Sequence, residues 1–435
     1  MLSRRRFLGS IGVSAGTASS AGLFSEGLGR ALAAAEEAKR RGASAEESAV
    51  DESFWFEVQQ AFTVDRSLIN LNNGGVCPSP AIVQEAMKRH LDYSNLAPAY
   101  TMWEILEPQK EGVRQRLARA FGASTEEIAI TRNASESLQI CQFGHDLGPG
   151  DEVLTTDQDY PRMITTWQQR ERREGIVLRQ FSIPVPAENP DQIVGLFEEN
   201  LTPRTKLIMM CHMINLTGQI LPVRQVVEMA RGRGIPVIVD GAHAFAHIDF
   251  RQSDLNCDYY ASSLHKWLFA PHGTGLLYVR KQKIRDLWPM MAAGLNLDKN
   301  IRKFEEIGTH PAANFVAIAE ALTFHEGIGP ARKVARLRYL TSYWAERLLE
   351  NERVHLNTSL KPGFSGALAN FRVDGLNSRD LVQHLWNENR ILVTDIHHKD
   401  CPGIRVTPAL YTTLPELDRF CDGVENVMKT GIKRA

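Results

Sequence analysis

The sequence predicts an α/β protein with a large domain, built on a mainly parallel seven-stranded sheet covered by helices, and a smaller α+β domain at the C-terminus. Three observations predict it. Strand-length apolar runs alternate with helix-length amphipathic ones from about residue 79 to 279. Two of the runs, Thr205 to Cys211 (TKLIMMC) and Ile235 to Val239, are apolar throughout, as strands buried on both faces are. Beyond Pro311 the alternation gives way to a long helical stretch, then short strands, then a closing helix. A chain of 435 residues, 43% hydrophobic and 23% charged, is too ordinary in composition for disorder, collagen or a coiled coil. Its 50 basic and 51 acidic side chains argue against a nucleic-acid binder that works by bulk charge.

The first 33 residues differ from the rest. Arg4, Arg5, Arg6 and Arg30 face one acid, Glu26. Ser3-Arg4-Arg5-Arg6-Phe7-Leu8 is followed by a weakly apolar Gly/Ala/Ser run and then by the small-x-small pattern Ala31-Leu32-Ala33. A basic head, a short apolar stretch and a small-residue exit describe an export signal, and the Arg pair before Phe-Leu resembles a twin-arginine signal. The expectation is a removable segment over 1–33, handled by the twin-arginine machinery, with a periplasmic or secreted product. Gly and Ser dilute the run too far for a stable membrane anchor. Residues 34–52 carry almost no large apolar side chains and read as a solvated spacer or frayed helix. Packed structure should begin near Phe54-Trp55-Phe56, giving a large domain over 53–310 and a small one over 311–435.

Within the large domain the spacing predicts helices over Ser79–Tyr93 and Glu107–Phe121. Strands follow at Glu127–Thr131, Glu152–Thr155, Ile176–Leu178, Thr205–Cys211, Ile235–Val239, Tyr259–Ala261 and Gly275–Val279, with helices from about Ala134 and over Val223–Arg231. In the small domain a helical stretch covers Ala312–Leu349, strands lie near Ala367–Phe371 and Ile404–Val406, and the last helix starts near Pro415. The six cysteines are scattered with no CxxC pair and read as small buried residues.

Ligands of open parallel sheets bind at the carboxyl ends of the strands, so polar residues just after strands are the candidates. Thr131-Arg132-Asn133-Ala134-Ser135-Glu136 opens a helix, and its free N–H groups suit either a phosphate or an ordinary cap. Asp240, in Val239-Asp240-Gly241-Ala242-His243, is placed to pair with a cationic ligand group. His243 and His247 are spaced as a metal pair would be, but no third ligand is evident. Lys266, in Ser262-Ser263-Leu264-His265-Lys266-Trp267, is either a Schiff-base nucleophile or a surface lysine packed on Trp267. Arg405, in Ile404-Arg405-Val406, suits a carboxylate ligand or a surface ion pair.

Taken together, Asp240 and Lys266 at two strand ends, 26 residues apart, with a helix start upstream and an arginine downstream, resemble the fold-type I pyridoxal-phosphate enzymes. Within these the sequence is similar to the class V aminotransferase family. Leu71-Asn72-Asn73-Gly74-Gly75, Asn133-Ala134-Ser135-Glu136 and His265-Lys266-Trp267-Leu268-Phe269-Ala270-Pro271 look most like isopenicillin N epimerase-like members, with cysteine desulfurases more distant. The resemblance implies pyridoxal 5'-phosphate bound covalently by Lys266, with Asp240 at its pyridine nitrogen and His243 and Asn215 at its ring hydroxyl. It implies a phosphate cup of Ala134, Ser135, Ser263 and His265, Tyr160 stacked on the ring, and Arg405 on the substrate carboxylate. Gly308-Thr309 matches a loop that reaches the neighbouring subunit's phosphate, implying a homodimer with shared sites. The implied activity is transamination or epimerisation at Cα of an amino acid or an amino-acid-containing metabolite. Desulfuration is the alternative, but Cys401 lies only four residues before Arg405 on a short segment. A non-catalytic binding protein and a metalloenzyme using His243, His247, His397, His398 and Cys401 are the rivals from other classes; the reading adopted includes no metal.

Overall fold

The structure, a computed structural model, describes residues 20–432, with side chains from residue 26. The Arg4–Leu8 motif lies outside the described residues. Helix α1 (Ser20–Arg40) runs through the Ala31-Leu32-Ala33 pattern, and α2 (Ala45–Ala49) and α3 (Glu52–Gln59) follow at once. Residues 34–52 are therefore not a solvated spacer. Ala31, Ala35 and Ala38 recur on one face of α1 and are buried. Their small side chains let the helix approach closely: a Cβ on Gly327 would come within 2.1 Å of Leu32 Cδ2. Ser44 and Glu47 form a capping box on α2. The Trp55 indole N–H donates to the Ser48 carbonyl at 2.7 Å, and Arg336 donates to the Ala49 carbonyl at 2.9 Å. Composition alone suggested solvation because alanine buries little area; its spacing decides the packing instead.

The chain then forms β1 (Ile69–Asn70), α4 (Ala81–Ser94), a π-helical turn over Thr101–Leu106, and α5 (Glu107–Phe121). The sheet strands are β2 (Ile128–Thr131), β3 (Glu152–Thr156), β4 (Val177–Phe181), β5 (Thr205–Cys211), β6 (Val237–Asp240), β7 (Tyr259–Ser263) and β8 (Gly275–Val279). Their spatial order is β2-β8-β7-β6-β5-β3-β4. All pairings are parallel except those of β8 with β7 and β2. Helices α6 (Ala134–Gly144), α7 (Pro161–Glu174), α8 (Pro190–Glu199) and α9 (Val223–Arg231) connect the early strands. The β5 and β6 interiors are buried on both faces, which is why they read as unbroken apolar runs.

Helices α10 (Ile318–Ile328) and α11 (Pro330–Leu349) lead into β9 (Val354–Leu356), β10 (Ala369–Val373), α12 (Ser378–Asn389), β11 (Ile391–Leu392), β12 (Thr394–Ile396), β13 (Gly403–Val406) and α13 (Leu414–Thr430). Strands β12-β13-β10-β9 form an antiparallel sheet, and β11 pairs in parallel with β1. The boundary expected at 310/311 precedes a helix that still belongs to the large-domain core: Ile318, Ala321, Leu322, Phe324 and Ile328 pack in one cluster with Phe62 and Phe269. Ile69 and Leu71 join the small-domain core instead. All six cysteines are free and buried. Among the described residues no helix is long and apolar enough to cross a membrane.

Candidate active site

A cavity of about 340 Å³ opens at the carboxyl ends of β5, β6 and β7 and the start of α6. It gathers Ala134, Ser135, Tyr160, Asn215, Asp240, His243, Ser263, His265 and Lys266, nine of the expected site residues. Arg405 reaches the same region from β13 of the small domain, where its guanidinium donates to the Asn215 carbonyl at 2.9 Å and to Asn72 Oδ1 at 3.0 Å. Thr309 is not among the cavity residues. It lies in a separate surface hollow with Trp103, Glu107 and His310.

Each side chain is positioned by a strand end. Asp240 closes β6 and is buried; its Oδ1 accepts the Ala242 N–H at 2.9 Å. The tight turn after it requires Gly241, since a Cβ there would lie 1.9 Å from the Tyr260 ring. Burial pushes the Asp240 carboxyl up to about 6, against the pull of the Ala242 N–H and the Lys266 ammonium. Burial also pulls Lys266 down to about 8, with Asp240 opposing it. Its Nζ stands 3.0 Å from His243 Nε2. His243 is held well below its usual range by burial and by Lys266, so its imidazole is neutral.

At the other end of the cavity, Asn133 caps α6 by accepting the Glu136 N–H at 2.8 Å, and the Ala134 N–H donates to Ser263 Oγ at 3.0 Å. The Asn133 cap takes one N–H of the helix start and Ser263 Oγ another, so capping by itself does not exclude an anion there. His265 Nδ1 lies 3.2 Å from the Thr274 carbonyl, which only accepts, so this nitrogen carries the hydrogen. Burial holds His265 down to about 4. Its Nε2 donates to an anion only once protonated, and a phosphate would itself favour that form.

Three buried polar atoms of this region have no partner among the described residues: His243 Nδ1, Asn215 Oδ1 and Arg405 Nε. Such atoms are costly to bury unless a ligand completes them. Together with the Asp240 carboxylate, a lysine amine and an anion-type helix start, they fit a planar cofactor bearing an aldehyde, a ring nitrogen, a ring hydroxyl and a phosphate, the features of pyridoxal phosphate. The His243/His247 pair does not fit a metal. His247 Nδ1 donates to the His243 carbonyl at 2.7 Å, its Nε2 accepts the Ala367 N–H at 2.6 Å, and the ring stacks on Trp267 at 3.7 Å. His398 instead approaches Asp157 and Asp400, where the Lys399 ammonium already sits 2.8 Å from Asp157 Oδ2. Cys401 is fully buried and its thiol is pushed up to about 12.

Sequence reasoning missed Asn72 as the partner of Arg405, and Arg162, Cys211 and Met213 as cavity walls. Arg162 and Cys211 follow or end strands, the signal that found Asp240. Asn72 follows β1, but that strand is only two residues long and does not read as an apolar run, and its partner lies 333 residues away.

A family model described as aminotransferase class-V matches residues 69–419. The isopenicillin N epimerase of Amycolatopsis lactamdurans is 31% identical, over 86% of this chain and 99% of that protein. That of Streptomyces clavuligerus is 28% identical, over 85% and 98%. A probable cysteine desulfurase of Halalkalibacterium halodurans is 27% identical, over 82% and 92%. Among solved structures, a C-DES mutant with glycine covalently linked to the PLP cofactor superposes with a TM-score of 0.73 at 26% identity, covering 83% of this chain and 98% of that one. The fold-type I architecture, the match across both domains and the likeness over the length of these relatives agree: the chain belongs to the class-V aminotransferase family.

Proposed function

We propose that the protein is a pyridoxal-phosphate enzyme acting at Cα of an amino acid or amino-acid-containing metabolite, with Lys266 as the lysine that holds the cofactor. One observation carries this reading: the buried Lys266 amine, held down to about 8, stands 3.0 Å from His243 in the cavity that Arg405 overlooks. Pyridoxal phosphate supplies an electron sink for a bond broken at Cα. The chain's residues do the rest. Asp240 offers a buried carboxylate to the ring nitrogen and keeps a proton there. His243 and Asn215 offer their unpartnered Nδ1 and Oδ1 around the ring hydroxyl. Ala134, Ser135, Ser263 and His265 cradle the phosphate, and Tyr160 covers the ring face. Arg405, its Nε unpartnered, holds the substrate carboxylate in a charge-assisted bond. Lys266, once free, carries the proton to and from Cα.

Epimerisation is supported by the relatives in Amycolatopsis and Streptomyces, and amino transfer by its needing no second acid or base. Persulfide chemistry is disfavoured by Cys401, which is buried and holds its thiol proton. A homodimer with shared sites is supported by Thr309 lying outside the cavity, in a hollow with exposed Trp103. Export through the twin-arginine route rests on Arg4-Arg5-Arg6-Phe7-Leu8.

Borohydride reduction of the purified protein, followed by peptide mapping, is expected to give a pyridoxyl group on Lys266 and none in Lys266→Ala. An unmodified Lys266 would refute the reading. Incubation with candidate amino acids and peptides in heavy water, with NMR scoring of Cα deuteration, keto acid and released sulfide, separates the possible fates.

A further inference from the structure

Lys333 is buried, 1% exposed, four residues into α11. Among the described residues no carboxylate meets it; its ammonium donates to the backbone carbonyl of Trp267 and lies 4.3 Å from the centre of the Phe269 ring. Two effects oppose a charge there. Burial pulls Lys333 down to about 7, with Cys77, the Trp267 carbonyl and the Phe269 ring face opposing it. The positive end of α11 lies beside it. The neighbouring His247 and His325 are themselves kept neutral by burial and by Lys333.

What Lys333 holds is the loop that carries Lys266. Trp267 is the next residue, and Phe269 adopts a left-handed backbone with φ 60°, a strained conformation that needs surrounding support. The loop is pinned by Phe269 N–H to Lys266 carbonyl at 3.1 Å and Ala270 N–H to Leu264 carbonyl at 3.0 Å. Ser79 Oγ holds the Ala270 carbonyl at 3.0 Å, and His247 stacks flat on Trp267. Lys333 fills the remaining gap, the Trp267 carbonyl, and reaches it from a helix that packs in the large-domain core at Leu337 and in the small-domain core from Leu340 to Leu348.

We infer that Lys333 is a positioning residue for Lys266: by holding the Trp267 carbonyl from α11, it fixes where the Lys266 amine stands relative to His243 and Asp240, and links the cofactor lysine to the small domain. Without it the Trp267 carbonyl is left buried and unpaired, and the strained turn loses its tie to α11.

The inference rests on the reading of Lys266 as the cofactor lysine, so borohydride mapping of the wild-type holoenzyme comes first. No adduct on Lys266 there fails that reading. With the adduct established, Lys333→Met, of similar length and apolar, is compared with wild type by circular dichroism, equilibrium dialysis of pyridoxal phosphate and pH titration of the visible absorption of the bound cofactor. The expected result is a folded protein that binds the cofactor about tenfold or more weakly, with a displaced titration midpoint. Lys333→Arg, which keeps the donor and the charge, should recover part of both. Wild-type affinity and midpoint in Lys333→Met, whatever its melting temperature, would overturn the inference. Should Lys333→Met fail to fold, Lys333→Leu, which is smaller and likewise has no donor for the Trp267 carbonyl, is judged by the same two readouts.

Discussion

At the scale of single residues, the site trades stability for readiness. Asp240 is buried with one backbone N–H as support and titrates at about 6, against an ordinary value of 3.8. The folded, cofactor-free protein therefore binds this proton more tightly than the unfolded chain does. Its contribution to stability is fully present below the unfolded value and is lost as pH rises from about 4 through about 6. The loss is of the order of 3 kcal/mol at neutral pH. Asp240→Asn should raise the melting temperature of the apoprotein at pH 7.5, and the gain should shrink as the pH approaches 4. The same variant should bind pyridoxal phosphate more weakly, because the ring nitrogen loses its anionic partner. Scanning fluorimetry across pH, with and without cofactor, checks both; an apoprotein gain independent of pH would contradict the assignment of the charge. Asp240, His243 and Lys266 were legible in the sequence because each follows an apolar strand, and strand ends are where such sheets bind ligands. Lys333 was not: on an amphipathic helix a lysine reads as solvated, and its partner Trp267 lies 66 residues back.

At the scale of elements, the strands were legible because double burial leaves an unbroken apolar run, as in β5 and β6. The N-terminal helices were not, because α1 buries alanines rather than large side chains, and composition gives these little weight. The consequence bears on processing. A small-x-small exit is read in an extended conformation, yet Ala31 is fully buried within a helix and Leu32 packs on Gly327. Removing residues up to Ala33 would strip the first two thirds of α1 from the surface of α3 and α10, along with the Arg30 pairing to Glu57. A protein beginning at Ala34 should therefore unfold at a temperature several degrees below one beginning at Ser20, through the loss of about 2 kcal/mol or more of apolar burial. Parallel thermal melts of the two proteins test it. Equal midpoints would mean that the first two thirds of α1 contribute nothing, and would restore the cut after Ala33 as a cost-free exit.

At the scale of the whole molecule, the cavity is assembled from segments that only the fold brings together. Lys266 and Asp240 come from the large-domain sheet, Arg405 from β13, and Asn72 from the stretch after β1, which pairs with β11. Such an arrangement lets the small domain carry the substrate carboxylate to a cofactor fixed on the large one. Thr309 alone of the expected residues stands elsewhere, in the hollow beside Trp103 and His310. If it completes the phosphate cup of a second copy, the two sites of a dimer each draw on both chains. Two variants separate this from a site made in one chain. Lys266→Ala destroys the covalent anchor of its own site, and Thr309→Asp places a negative charge against the partner's phosphate. Alone, neither should yield a reduced adduct at low cofactor concentration. Mixed in equal amounts and allowed to exchange subunits, about half of the dimers are hybrids. Each hybrid holds one site with both defects and one with none, so about a quarter of all sites should recover the adduct on Lys266. Were Thr309 to serve its own chain, the mixture would recover nothing. Were it to serve no phosphate, Thr309→Asp would be labelled fully without mixing.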